Sequence, residues 1–453
     1  MVRALRALRR TCAALALVVL AAAPLRSETT VALAVEEARL LARQALEAGQ
    51  PDLAQSIAGA LLQRDQGDVA AWLLMSAAEA RRGRGTAGVQ AGRRAFALAS
   101  TPEARFEAAY LTGIAHAQAS QDLRAKLWLR RAAEAAPDAQ LRAVAAQTFQ
   151  QVSSESRLSL GFSLNIGPSD NVNGGSLHDT FYVIGIPLPI AEALPGGTYT
   201  GAATLRYRLA ASARGVTELT GALQHRGVWL SDRAKTLEPG AKASDYVVTG
   251  LDLGLTRRWQ PGDAPVMLTL GGGIGTQWLG GAHLTDRISG EFRLDHVLSA
   301  RSRWQFALLG EQVWQPADPI RNATSLSAIA SLQQQTGARG GRLHVSLGLR
   351  DTASDAATVA HEAVFGRVSW QPGLLPGGIA AELGLGLELR DYGKAPTPSP
   401  DRRVEADLAL TFTELDYMGF APRVNLRLSR NHSDFVLRDS RDFSLGFGLR
   451  SAF

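Results

Sequence analysis

The residue types able to do chemistry are thinly spread through this chain. Its eight histidines stand singly, with no His-Glu-x-x-His pair and no clustered carboxylates at metal-ligand spacing. His344 reads as a lumen-facing residue and His296 as a rim residue of alternating segments. Gly271-Gly272-Gly273-Ile274-Gly275 has the glycine density of a phosphate loop, but it lies inside a strand-like run, lacks a following Lys-Ser/Thr and opens no helix. Glycines in such a place serve curvature or close packing. The lone cysteine, Cys12, sits in the first residues of the chain. The expectation is therefore a protein that is not an enzyme, with no catalytic, metal or cofactor site. Two other groups invite attention: a polar stretch with Pro168, Asp170, Asn171 and Asn173, and charges of both signs on alternating segments, among them Arg350, Arg367, Glu382, Glu388, Glu405 and Asp407.

The elements that must position these groups follow from length and pattern. At 453 residues the chain exceeds one compact core, so two domains are expected. A mean hydropathy of -0.03 excludes a bundle of membrane helices, each of which needs about 20 consecutive apolar residues. The net charge of +6 suggests a nucleic-acid binder until it is divided: residues 1–27 carry five Arg and no acid, 28–155 balance 14 against 14, and 156–453 carry 29 bases and 28 acids. The basicity belongs to the first segment, so nucleic acid is not an expected partner.

That segment reads as a secretory signal peptide, 1–27: Arg3, Arg6, Arg9 and Arg10 precede the apolar run Ala13 to Ala23, with cleavage expected between Ala22 and Ser27. Cys12 leaves with it, so the mature chain has no thiol and no disulfide.

Residues 28–155 are rich in Ala, Leu, Arg and Gln, with apolar positions at helical spacing. Leu53, Ala87 and Leu123 recur at 34 and 36 residues, and Trp72, Phe106 and Leu141 at 34 and 35. Such a period fits paired antiparallel helices of the tetratricopeptide (TPR) type, whose concave face commonly holds peptides. Leu61, Leu62, Leu73, Leu74, Phe96, Leu98, Tyr110 and Leu111 are read as interior between the helices.

From about Ser156 the period changes to two. Ile379, Ala381, Leu383, Leu385, Leu387 and Leu389 make one wholly apolar face, and Ala380, Glu382, Gly384, Gly386, Glu388 and Arg390 the other. Fourteen such segments follow one another between 157 and 453, most of about 10 to 14 residues where soluble strands centre on about 5 or 6. Trp304 and Trp314 share a face; ten residues of tilted strand separate them by about 25 Å along a membrane normal, the height of an outer-membrane apolar band. Trp259, Trp278, Trp370, Tyr392 and Tyr417 sit at strand ends, where an interfacial girdle belongs. Long and short connections alternate, with 279–284 alone short for its class, which puts both ends of the barrel and the helical repeats in the periplasm. The predicted fold is thus a TPR-like helical solenoid, 28–155, followed by a 14-stranded antiparallel transmembrane β-barrel, 156–453. The terminal Phe453 continues the face of Phe443, Leu445, Phe447 and Leu449 and resembles the signal read by the barrel assembly machinery, Ser451 standing where an aromatic is usual.

This order of parts resembles the surface lipoprotein assembly modifier (Slam) family, and the local likeness is strongest in Leu160-Gly161-Phe162-Ser163-Leu164-Asn165-Ile166-Gly167-Pro168-Ser169-Asp170-Asn171-Val172-Asn173. The resemblance implies a barrel that helps move client lipoproteins or secreted proteins to the surface, with periplasmic chaperones, the barrel assembly machinery and outer-membrane lipid as partners. Pro168, Asp170, Asn171 and Asn173 then read either as a client contact or as the turn chemistry that ends the first strand. The loop 167–197, with Ile184, Ile186, Leu188, Ile190 and Leu194, reads as a lumen plug, a client site or a segment packed on the rim. A gate is expected between the first strand, with Leu160 and Phe162, and the last, with Leu445, Phe447 and Phe453. An exopolysaccharide export porin, which also couples TPR repeats to a barrel, is the competing reading; a diffusion porin and a wall-borne Ser-His-Asp hydrolase rank lower.

Overall fold

The computed structural model describes residues 33–183, 186–337, 340–393 and 400–451. Residues 1–27, read above as a signal peptide, Ile184 and Phe453 lie outside the described residues. Seven helices come first: α1 (Val35–Glu47), α2 (Pro51–Arg64), α3 (Val69–Arg81), α4 (Gly85–Leu98), α5 (Pro102–Gln118), α6 (Asp122–Ala135) and α7 (Ala139–Glu155). Local chemistry sets their starts. The side chains of Asp68, Thr101 and Asp138 accept the N–H of the third residue onward to cap α3, α5 and α7, and proline opens α2 and α5.

The 34- to 36-residue recurrence is a recurrence of alternate helices. Leu53, Ala87 and Leu123 fall at the starts of α2, α4 and α6, and Trp72, Phe106 and Leu141 in the first turns of α3, α5 and α7. Alanines at 42, 45, 54, 58 and 78 are buried and let backbones approach closely. Gly92 of α4 goes further: a Cβ there would collide with the Thr112 hydroxyl of α5. Phe106 is buried, Phe96 meets Trp128 edge-on with ring centroids 5.2 Å apart, and Tyr110 stacks on Phe106.

Fourteen antiparallel strands then close a barrel: β1 (Leu158–Ser169), β2 (Gly196–Ser212), β3 (Gly215–Leu230), β4 (Val248–Trp259), β5 (Val266–Leu279), β6 (Ala282–Ser299), β7 (Ser302–Trp314), β8 (Ala323–Thr336), β9 (Gly341–Ser354), β10 (His361–Gln371), β11 (Ile379–Asp391), β12 (Asp401–Phe412), β13 (Phe420–Ser433) and β14 (Ser440–Ser451). Each strand pairs with its sequence neighbour, and β14 returns to β1. The strands outrun their sequence patterns mainly at the outer loops: β2 begins at Gly196, and β6 begins at Ala282 because Gly280 and Gly281, both at positive φ, make a two-residue hairpin.

Register fixes the two faces. Leu383, Leu385, Leu387 and Leu389 of β11 lie level with Trp370, Val368, Gly366 and Val364 of β10 and with Leu408, Ala406, Val404 and Arg402 of β12. These four leucines are 40–57% exposed, and the same holds for apolar residues around the ring. So large an apolar surface is stable only against hydrocarbon. Trp304 and Trp314 stand on this outer face at opposite ends of β7. The protein is therefore an outer-membrane β-barrel with a helical domain at its N-terminus. One expected girdle residue is corrected: Tyr392 is buried, packed against the His361 ring and covered by the Arg438 guanidinium at 3.7 Å, because the outer loops fold back over it.

Candidate functional site

Among the described residues, the seam between β1 and β14 has an interrupted ladder. Its registered pairs are Leu164↔Leu449, Asn165↔Gly448 and Ile166↔Phe447, then Ser169↔Ser444. Gly167 and Pro168 fall in the gap. Pro168 has no N–H to give a ladder, and a Cβ at Gly167 would collide with the Leu445 carbonyl. Leu160, Phe162, Leu445 and Phe447 all lie on the lipid-facing side of these two strands, Phe162 being 75% exposed. The lumen side is small and polar: Ser159, Gly161, Ser163 and Asn165 from β1, and Ser444, Gly446 and Gly448 from β14.

The polar stretch after β1 sits at the outer end of this seam. Asp170 exchanges two bonds with Phe443, its backbone N–H to the Phe443 carbonyl at 3.1 Å and its carboxylate accepting the Phe443 N–H at 2.6 Å. The Ser169 hydroxyl lies 3.2 Å from an Asp442 carboxylate oxygen. The Asn171 amide donates to the Arg441 and Gly175 carbonyls and accepts the Gly175 N–H. Asn173 donates to the Glu192 carbonyl and accepts the Leu194 N–H, closing the first loop on itself. Val172, fully buried, packs with Leu194, Val228 and Ala234. Asp170, Asn171 and Asn173 are thus held by backbone groups, and Pro168 interrupts the ladder just below them.

The first loop then reaches across the seam to the β13–β14 connection. Ser176 donates to the Val436 carbonyl, His178 Nε2 lies 2.9 Å from the Asp439 carboxylate, and Phe181 meets Phe435 edge-on. Ile186 and Leu188 of its hairpin (Thr180–Val183 with Ile186–Pro189) remain exposed. Burial by itself would raise the Asp439 carboxyl, but hydrogen bonds from Arg430 and His178 outweigh it and hold the group below the ordinary carboxylate range.

Beside the inner end of the seam the helical domain binds β1 and the turn entering β13, a contact that no sequence motif announced. Helix α6 makes this bridge. Lys126 donates to the Leu158 carbonyl of β1 at 3.3 Å, and one turn later Arg130 donates to the Met418 and Gly419 carbonyls, each at 2.9 Å, in the turn entering β13. Glu134, a further turn on, accepts the Met418 N–H at 2.9 Å. The spacing 126, 130, 134 is one face of a helix. Arg130 also lies over the rings of Phe149 and Phe420, and burial pulls its guanidinium below the ordinary arginine value. Met418 holds a positive φ of 49°, uncommon for a side chain of its kind, and these contacts fix it there. Helix α7 adds Arg142 beside Asp416 at 3.3 Å, and its Ser154 carbonyl accepts from Arg208 of β2.

The lumen wall away from the seam is dominated by paired charge. Arg350 and Arg390 share Glu388 at 3.1 and 2.8 Å, Arg403 pairs Glu405 at 2.5 Å, Arg423 pairs Glu382 at 2.6 Å, and Arg367 contacts Asp407. Pairing two residues apart along one strand, or across one intervening strand, satisfies these groups and stiffens the wall, and it identifies no permeant. Among the described residues no group of three His, Cys, Asp or Glu is placed to hold a metal.

No protein-family model matches the chain, and no curated protein sequence matches it. Among solved structures it is similar to the outer-membrane channel DcaP of Acinetobacter baumannii, at 9% identity over 65% of this chain and 97% of that one, with a TM-score of 0.39. It is likewise similar to a bacterial polysaccharide outer-membrane secretin, at 10% identity over 64% and 98% with a TM-score of 0.32. A third is an outer-membrane channel from Pseudomonas putida F1, at 13% identity over 64% and 95% with a TM-score of 0.32. At these values nothing of what those proteins do carries over.

Proposed function

We propose that this protein is an outer-membrane translocator that helps deliver client lipoproteins or secreted proteins to the cell surface. The helical domain, a stack of TPR type in the periplasm, receives the client or its chaperone, and the barrel provides the path outward. The observation that carries this reading is the seating of α6 across the base of the seam: the domain that would hold a client is the same body that ties β1 to the turn entering β13. Displacing α6 would release β1 from the turn entering β13 beside the seam, so client arrival and seam opening are coupled through one helix face. A porin that passes small solutes has no use for such a device. The likeness of residues 160–173 to the Slam family supports the same reading. No covalent chemistry is needed.

The test is protease shaving of intact cells followed by proteomics, comparing wild type with a deletion. Selective loss of one or two surface or secreted proteins, with capsule and matrix sugar unchanged, is the expected result. An unchanged surface proteome with lost polysaccharide would replace this reading with sugar export.

A further inference from the structure

On the wall opposite the seam, the periplasmic mouth departs from the charge pairing of the rest of the lumen. Register carries one inward row across four strands, Arg303↔Gln333↔His344↔Ser369. A second row lies nearer the periplasm: Gln335↔Arg342↔Gln371, with Arg301 bonded to Gln335 through its backbone carbonyl at 2.8 Å. Together they line a recess of about 420 Å³ beside the turns that join β6 to β7 and β8 to β9. Neither row contains a carboxylate. Arg301, Arg303 and Arg342 make no ion pair among the described residues, whereas Arg350, Arg367, Arg390, Arg403 and Arg423 all do. The carboxylates flanking the ledge are engaged: Asp295 accepts from Gln305 at 2.8 Å, and Glu382 from Arg423, Arg450 and, at 3.4 Å, the ledge residue Gln371. His344 Nδ1 is buried here with no hydrogen-bond partner among the described residues, which for an inward polar atom calls for an explanation.

We infer that this ledge binds an extended acidic segment of polypeptide entering the barrel from the periplasmic side. Three guanidiniums at strand spacing recognise carboxylates through bidentate bonds, and the interleaved carboxamides of Gln333, Gln335 and Gln371 both donate and accept, as a peptide backbone requires. A sugar chain is the poorer fit because the aromatic side chains nearest the ledge, Trp304 and Trp370, stand on the lipid-facing side of the strands. The inference rests on the translocator reading for the identity of its occupant and names the chemistry of the client segment.

The test uses the full-length protein in detergent with a fluorescein-labelled 12-residue glutamate-rich peptide, its glutamine counterpart, and polygalacturonate as competitor. Saturable binding of the acidic peptide, weakened by rising salt and at least about tenfold by the triple change R301Q/R303Q/R342Q, is expected. The lysine triple R301K/R303K/R342K, which keeps charge but not the fork, should fall between, and heat-dependent gel mobility of both variants confirms folded barrels. Equal affinity for both peptides, equal affinity in the glutamine triple, or tighter binding of polygalacturonate would each overturn the inference. Because the readout is binding in vitro, those results leave the surface-display test of the translocator reading untouched; lost display with intact peptide binding would separate the two in the other direction.

Discussion

The seam and the wall opposite it are built from the same alternating strands but are held together by different means. Strands β8 and β9 stay in continuous register from Ala323↔Ser354 to Thr336↔Gly341, so the backbone ladder is the fastening and side chains are left for other work. Among the described residues, strands β1 and β14 register over Leu164 to Ile166 and again at Ser169, and side-chain contacts gather at the two ends. Outside, the side chains of Asp170, Asn171 and Ser176 hold; inside, a helix from another domain holds. A ladder is cooperative and does not open piecemeal, whereas end clasps made of a few side chains are released one at a time.

The largest expected effect comes from cutting the outer clasp. Asp170→Ala with Asn171→Ala removes the side-chain bonds to Phe443, Arg441 and Gly175 and leaves the buried Gly175 backbone groups without these partners, a loss of about 2–4 kcal/mol. It should appear as faster hydrogen exchange in Ser440–Phe447. Ser325→Ala on β8, which loses only a 3.0 Å hydroxyl contact to Thr352, should change exchange in its strand little. Equal effects at both places would break the comparison.

Next is Arg130→Ala, which frees the Met418 and Gly419 carbonyls and the positive-φ turn they belong to. About 1–3 kcal/mol of local stability is expected to go, read as proteolytic cleavage between Thr413 and Gly419 that the wild type resists. Lysine at 130 should recover only part of it, since an ammonium can replace the one guanidinium nitrogen that donates to both carbonyls but not the planar group lying over Phe149 and Phe420. Gly167→Ala probes the middle of the seam: the added methyl meets the Leu445 carbonyl and pushes the strands apart, at a cost of about 1–3 kcal/mol. The same change at Gly310 of β7, where a Cβ meets nothing, should be nearly silent in thermal unfolding.

The smallest effect concerns pH. Asp439 is held below the ordinary carboxylate value by Arg430 and His178, with His432 Nδ1 3.8 Å away. A depressed carboxyl stabilises the fold above its unfolded value, and that contribution is lost only as pH falls through the folded value. The bridge from the first loop to the β13–β14 connection should therefore persist at mildly acidic pH and loosen only below the usual Asp range. An acid-stable protease acting on the 434–439 segment would follow it.

Much of this architecture was legible because two periods were. The alternation that placed Leu383 through Leu389 on one face and Glu382 through Arg390 on the other is a property of single strands, so it survives any arrangement around them. The 34-residue recurrence mapped onto alternate helices for the same reason. What no local pattern could show was contact between distant segments. Lys126, Arg130 and Glu134 belong to no motif, yet they meet β1 and the turn entering β13. Asp170, Asn171 and Asn173 stood between a turn reading and a client reading, and the geometry gives each a backbone partner. Tyr392 carried the composition of a girdle residue but is buried, because burial there depends on Arg438 folding back from another loop. Arg303 and Arg342 were legible as inward-facing charges, but that they make no ion pair among the described residues was not, because pairing depends on which side chains the barrel brings together from different strands.

The central claim is that the seam must part for a client to cross. Outside residues 1–27 the chain has no cysteine, so pairs can be introduced cleanly. Leu164→Cys with Leu449→Cys locks the seam, and Ala330→Cys with Leu347→Cys, registered partners on β8 and β9, locks the opposite wall as the control. Surface display of the client, measured by protease shaving before and after reduction, should be lost only in the oxidised seam pair and return when the disulfide is reduced. Undiminished display with the seam fully oxidised would contradict the account.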